Sequence, residues 1–337
     1  MNATTVPPPV AVLREDPVTQ PAPVAAPSSA VLQQCREALE HGSKSFAMAA
    51  RILPARVRVP ATIFYAFCRE ADDLIDEGED PARALDQLRD RVDAVYQGHP
   101  THARDQGLAY LVQAYGLPRC VFEALLDGFA WDVQSREMQT TTDLYDYCVR
   151  VASSVGVAIC YFVGVTDRVT LARACDLGVA MQLTNIARDV GEDLGRGRVY
   201  VPTNWLPRHV PPRDSLTNAT VARDMARELV TRSRVLYRRA DLGLDRLPLS
   251  VRPSLRAAAL IYAAIGDVVR RPQHNVLRTR AVVSTRHKLV CVARALLRTA
   301  LPSRFKPEAT RAVVFAPPLA EAECLLPPPS LTAPPKA

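Results

Sequence analysis

Glycine is scarce in this chain, with 14 residues in 337, and aromatic residues make up only 6%. With few long β-branched runs as well, there is little material for sheets and hairpins, and a helical chain is expected. The eight cysteines (Cys35, Cys68, Cys120, Cys148, Cys160, Cys175, Cys291 and Cys324) include no C-x-x-C pair, and the six histidines show no ligand spacing. That speaks against zinc and for buried free thiols in a reducing compartment. Long apolar runs are also missing. The longest, 155–165 and 257–266, reach about half of the roughly 20 residues a membrane-spanning helix needs, so no transmembrane segment is expected. The opening MNATTVPPPV lacks a basic-then-apolar pattern, so no signal peptide is expected and the expected location is the cytoplasm. No Walker sequence or G-x-G-x-x-G occurs, which disfavours a nucleotide phosphate cradle. Basic residues do not alternate with aromatics, and no nucleic-acid partner is expected.

Proline, by contrast, is plentiful at 28 residues, and much of it lies at the two ends. Residues 1–29 and 302–337 read as disordered Pro-rich tails around one domain, 30–301. Hydrophobic residues make up 48% and charged residues 23%, and the net charge is +7. A basic balance suits anionic partners such as phosphorylated small molecules or anionic lipid, and equally suits plain solubility. Apolar periodicity and Pro, Gly and polar punctuation predict helices over 31–40, 46–52, 60–76, 82–97, 104–115, 118–135, 141–163 with a break, 167–194, 218–241, 251–270 and 281–299. The fold class is therefore all-α. The longest internal loop, the Pro-rich stretch 201–216, reads as a lid.

Two apolar helices run straight into acid. In YAFCREADDLID (65–76), Asp72 and Asp76 are four apart and share a helix face, with Arg69 one turn before. In MQLTNIARDVGEDLGRGRVYVP (181–202), Asn185, Asp189 and Asp193 recur at i, i+4 and i+8, flanked by Gln182 and Arg188. Two carboxylates about 6 Å apart repel by ~3 kcal/mol at an effective dielectric near 20. Such clusters either raise a pKa or bind a cation. Carboxylate and amide oxygens suit Mg²⁺, which usually bridges protein acids to substrate phosphates. Arg69 and Arg188 fit phosphate oxygens, and fit salt bridges to the adjacent acids equally well.

These motifs, with GSKSF (42–46), DGFAWDV (127–133) and YDYCVRVASSVG (145–156), resemble the squalene/phytoene synthase family, and most of all its bacterial phytoene-forming members, over about residues 43–288. The resemblance implies an isoprenoid-synthase-type bundle around a central apolar cavity. It implies head-to-head condensation of two geranylgeranyl diphosphates through prephytoene diphosphate to phytoene, the first committed step of carotenoid biosynthesis. Carried over by position, Asp72, Asp76, Asn185, Asp189 and Asp193 would hold Mg²⁺ (or Mn²⁺). Arg69, Arg188 and Gln182 would contact the diphosphates, and Ser43, Ser45 and Phe46 would line the entrance. Tyr147 would lie near the departing diphosphate and the carbocations, with Tyr65 and Tyr262 lining the cavity. Val149 and the Ser153–Ser154 pair depart from the family pattern, which usually has glycine after Ala152. No NADPH is expected. Peripheral membrane contact is expected, with Arg270, Arg271, Arg278, Arg280 and Arg286 as one candidate surface, as is association with other carotenoid-pathway enzymes. Two alternatives remain: a squalene or dehydrosqualene synthase using farnesyl diphosphate, and a non-catalytic relative acting as an assembly factor.

Overall fold

Pro60 sits near the start of a 23-residue helix and removes the amide that would have bonded the Arg56 carbonyl. Tyr115 takes that acceptor instead, its hydroxyl donating to Arg56 O at 3.3 Å, and the helix continues to Glu77. This helix belongs to a computed structural model that describes residues 26–42, 44–300 and 316–328. Every regular element among the described residues is helical. In chain order these are α1 (Ser29–Gly42), α2 (Lys44–Ala50), α3 (Ala55–Glu77), α4 (Pro81–Tyr96), α5 (Ala103–Tyr115), α6 (Arg119–Val133), α7 (Thr141–Cys148), α8 (Ser154–Phe162) and α9 (Arg168–Gly195). Then follow α10 (Pro212–Thr217), α11 (Ala219–Leu244), α12 (Arg252–Val269) and α13 (Thr285–Ala300).

The 28-residue α9 is the axis of the bundle, started by Asp167, whose side chain accepts from the Thr170 amide. It packs along α11 and touches α8 and α12, while α3 packs against α1, α4, α5 and α8. Phe122 of α6 meets Phe64 and Phe67 of α3 edge-on, each with ring centroids 5.5 Å apart. Such aromatic pairs add about 0.5–1.5 kcal/mol each beyond the area they bury. Thr140 and Asp143 form a reciprocal capping box that starts α7.

The break expected within 141–163 is a single π-helical turn, Val149–Ser153. Close approach here is provided by α9: a Cβ on Gly178 would lie 2.6 Å from Ser153 Cα and N. The two serines serve the turn. Ser153 Oγ donates to Cys175 O (2.9 Å), and Ser154 Oγ donates to Arg150 O (2.7 Å). All eight cysteines are free, and five are buried.

Two expectations from the sequence need correction. The Pro-rich stretch 201–216 does not line the cavity described below. It is pinned to the loop before α7, where Thr203 N donates to Met138 O (2.8 Å) and Asn204 N to Gln139 O (3.2 Å), and its second half forms α10. Part of the expected C-terminal tail is also ordered. Residues 316–328 lie on the body with a 3₁₀ turn, Ala320–Leu325, because Ala322 and Leu325 find apolar cover. No helix among the described residues is long and apolar enough to cross a membrane.

Candidate active site

Both acidic motifs end their helices, α3 with Asp72, Asp73 and Asp76 and α9 with Asp189, Glu192 and Asp193. A helix C-terminus already carries partial negative charge, so carboxylates there are disfavoured unless cations join them. The chain supplies those cations. Arg69 donates to Asp72 (3.3 Å) and Asp73 (3.1 Å). Gly197, at φ 80°, turns the chain after α9, and Arg196 and Arg198 reach across to Asp76, each at 2.6 Å. Arg188 lies 2.8 Å from Asp189, and Arg280 pairs with the same carboxylate at 2.9 Å. Arg69 and Arg188 thus form the salt bridges that the sequence left as an alternative.

Gly191 makes the Arg280 contact attainable. A Cβ there would lie 2.5 Å from the Leu277 carbonyl oxygen, so only glycine admits the loop after α12. The Gly191 amide donates to Val276 O at 3.2 Å, and Arg280 follows in the same loop. Arg280, although its side chain is 54% exposed, therefore borders the site, a role the sequence did not give it.

Two carboxylates stay under-compensated. Burial, with Asp76 beside it, pushes Asp72 up to about 6. Burial and the neighbouring Asp189 push Asp193 up to about 8. One turn before Asp189, Asn185 Nδ2 donates to Gln182 Oε1 (3.2 Å), while its buried Oδ1 has no partner among the described residues. The orphaned amide oxygen and Asp193 on α9, with Asp72 on α3, are hard oxygen donors of the kind Mg²⁺ or Mn²⁺ accepts. Among the described residues, no three acidic, histidine or cysteine side chains gather as a complete metal cage. Mg²⁺ seldom uses one; it takes one or two carboxylates and fills its shell with water and phosphate oxygens. The residues fit an ion that arrives with a phosphorylated ligand.

Tyr147 is held by a residue not singled out from the sequence. Its hydroxyl donates to Asp132 (3.0 Å), as does that of Tyr200 (2.7 Å), and the two rings stack at 4.8 Å. Burial raises the Asp132 carboxyl, and burial with Asp132 nearby raises both phenols. Both tyrosines thus stay protonated donors. Asp132 lay within the DGFAWDV stretch, so a signal was present. Arg198 and Tyr200 lay within the 181–202 stretch and were not picked out of it, and Arg280 carried no signal for this site.

All these groups open on one cavity of about 1560 Å³, above the roughly 300–1,000 Å³ usual for a single small ligand. Tyr65, Arg69, Asp72, Asp76, Tyr147, Gln182, Asn185, Arg188, Asp189, Asp193 and Tyr262 all line it, as do Asp132, Arg198, Tyr200 and Arg280. Its depth is apolar, walled by residues such as Phe129, Val155, Ile159, Leu177 and Met181. The side chains of Ser43, Ser45 and Phe46 lie outside the described residues.

Comparisons with known proteins agree with this geometry. The chain is 43% identical over 289 residues to a phytoene synthase of Cereibacter sphaeroides, covering 81% of each chain. It is 42% identical over 278 residues to a phytoene synthase of Rhodobacter capsulatus, covering 80% of this chain and 82% of that one. Its fold matches the crystal structure of a dehydrosqualene synthase in complex with ligand with a TM-score of 0.71 at 27% identity, covering 80% of this chain and 96% of the other. The family model for squalene/phytoene synthase matches residues 39–287, and the chain belongs to that family.

Proposed function

We infer that this protein is a phytoene synthase, a prenyltransferase joining two geranylgeranyl diphosphates head to head. The observation that carries this reading is the division of one cavity into a charged mouth and a long apolar interior. A prenyl diphosphate has the same division, and the cavity volume suits two chains better than one.

The ion pairs at the mouth bear on how it works. Arg69, Arg188 and Arg280 exchange their carboxylates for diphosphate oxygens, which frees Asp72 and Asp189 for a cation. Bound with Asn185 and the acids, Mg²⁺ or Mn²⁺ would offset charge developing on a leaving diphosphate. Tyr147, fixed by Asp132 and stacked on Tyr200, lines the cavity where an allylic cation would form, and its electron-rich ring would favour positive charge nearby. Its hydroxyl remains a donor aimed at Asp132. The aliphatic walls exclude water, which would quench the cation. No reductant takes part in this proposal.

The decisive experiment is product analysis. Purified protein with Mg²⁺ and geranylgeranyl diphosphate, without NADPH, is expected to give phytoene. The similarity to a dehydrosqualene synthase favours a second reading, in which farnesyl diphosphate is the substrate. A product from farnesyl diphosphate alone would select it.

The proposal extends to peripheral membrane contact. On α13, Leu289, Val290, Leu296 and Leu297 are exposed together. Arg286, Arg294 and Arg298 accompany them, and the helix contains no acid. An exposed apolar stripe with basic flanks suits an anionic lipid surface. Release of a hydrocarbon into that lipid would bring it to the pathway enzymes that consume it, and association with them is part of the same proposal.

A further inference from the structure

Arg173 is buried, at 2% exposure, yet its side chain lines an apolar cavity. It stands on α9 sixteen residues before Asp189, about 24 Å along the helix from the acids. Between them Leu177, Met181 and Asn185 recur every four residues and also line the cavity. Arg173 thus marks the end of the cavity remote from the charged mouth. A guanidinium placed there needs acceptors, because an unpaired buried charge is strongly disfavoured.

Those acceptors come from two places. Asp176 lies 3.2 Å away on the same helix. The others are main-chain carbonyls of the C-terminal segment, Ala316 O at 3.0 Å and Pro317 O at 3.4 Å. Arg239 of α11 completes the knot, at 3.1 Å from Asp176 and 2.7 Å from Pro317 O. Farther along, Ala322, Leu325 and Leu326 bury their side chains, and Arg168 pairs with Glu323. On the other side of Arg173, a Cβ on Gly243 would lie 2.2 Å from the Arg173 Cβ. The stem of Arg173 is therefore clamped by α11, and its head is held by the segment.

We propose that residues 316–328 act as a strap that fixes the deep end of the cavity by holding Arg173, and so sets the longest prenyl chain accepted. The inference rests on the reading of the cavity as a prenyl diphosphate site. With the strap docked, the guanidinium is drawn outward onto its carbonyls and closes the cavity floor. With the strap undocked, Arg173 loses two acceptors and the floor is free to move, which opens the cavity to longer chains.

The test uses the full chain and three non-ionising ligands: farnesyl, geranylgeranyl and geranylfarnesyl thiodiphosphate. Affinities are measured by calorimetry with Mg²⁺ for wild type, Leu325→Asp and Arg168→Gln. Undocking is checked by faster proteolysis within the segment. Wild type is expected to prefer geranylgeranyl over geranylfarnesyl, and Leu325→Asp to erode that preference about tenfold or more, with Arg168→Gln moving the same way by less. A folded Leu325→Asp with an undocked segment and a preference within about twofold of wild type overturns the proposal. Should Leu325→Asp fail to fold, Arg168→Gln combined with Arg239→Gln decides by the same criterion. Turnover of geranylgeranyl diphosphate by wild type tests the proposed function separately. A length shift in binding without wild-type turnover would support the strap and remove the synthase reading.

Discussion

Asp189 and Asp193 are one helical turn apart yet differ in circumstance. Asp189 is held by Arg188 and Arg280, whereas burial and its neighbour leave Asp193 raised to about 8. Asp189→Asn is expected to keep the fold and to lower kcat by about 10²–10³-fold, as losing a principal electrostatic stabiliser does. Steady-state rates beside a thermal melt would check it, and wild-type turnover in a folded variant would refute the assigned role. Asp193→Asn should behave differently in metal-free protein. A carboxyl raised from 3.8 to about 8 binds its proton more tightly folded than unfolded. Its charged form therefore costs stability, increasingly so as pH rises through that interval. The variant is expected to be more stable than wild type in chelator, by a margin that grows from pH 5 to pH 8 in urea titrations. The four aspartates were legible from the sequence because spacing along a helix is local information. Arg280 was not, since its partner lies 91 residues away and the contact depends on a notch at Gly191. Asp132 stood in a motif that was noticed, but its role depends on Tyr200, brought in from beyond α9.

At the scale of elements, the helices followed from apolar periodicity and Pro or Gly punctuation, and most ends fall within a few residues of those expected. The failures share one cause. Loop 201–216 and segment 316–328 are rich in proline, and composition alone does not reveal an acceptor such as Met138 O or an apolar seat for Leu325. The break before α8 was legible as a break, while its π geometry depends on Gly178 of a different helix. Gly191→Ala tests the other glycine notch. The added methyl must displace the Leu277 backbone, with an overpacking cost of about 1–3 kcal/mol. Arg280 should then withdraw from Asp189, raising KM for the diphosphate more than it lowers kcat. A variant with the stability loss but unchanged KM would remove Arg280 from substrate binding.

At the scale of the whole molecule, a net charge of +7 and one acid-free helix with an apolar outer stripe make binding to lipid a question of salt and face. Cosedimentation with vesicles containing anionic lipid is expected at low salt and should weaken as ionic strength rises. Leu289→Gln with Leu297→Gln should abolish it without affecting turnover of detergent-dispersed substrate. Binding unchanged by that pair would exclude α13 as the contact.

The arginine–carboxylate pairs at the cavity mouth have a consequence for selectivity. The mouth is an ion exchanger that carries its own counter-ions. An incoming anion is weighed not by the contacts it makes but by the difference between those contacts and the pairs it breaks at Asp72 and Asp189. A diphosphate accompanied by a divalent ion can replace both partners at once, giving the arginines new acceptors and the acids a new cation. A prenyl monophosphate offers less on each side, and a prenyl alcohol offers nothing. Discrimination among them should therefore be steeper than charge alone suggests, with a threshold set by bonds the protein makes to itself.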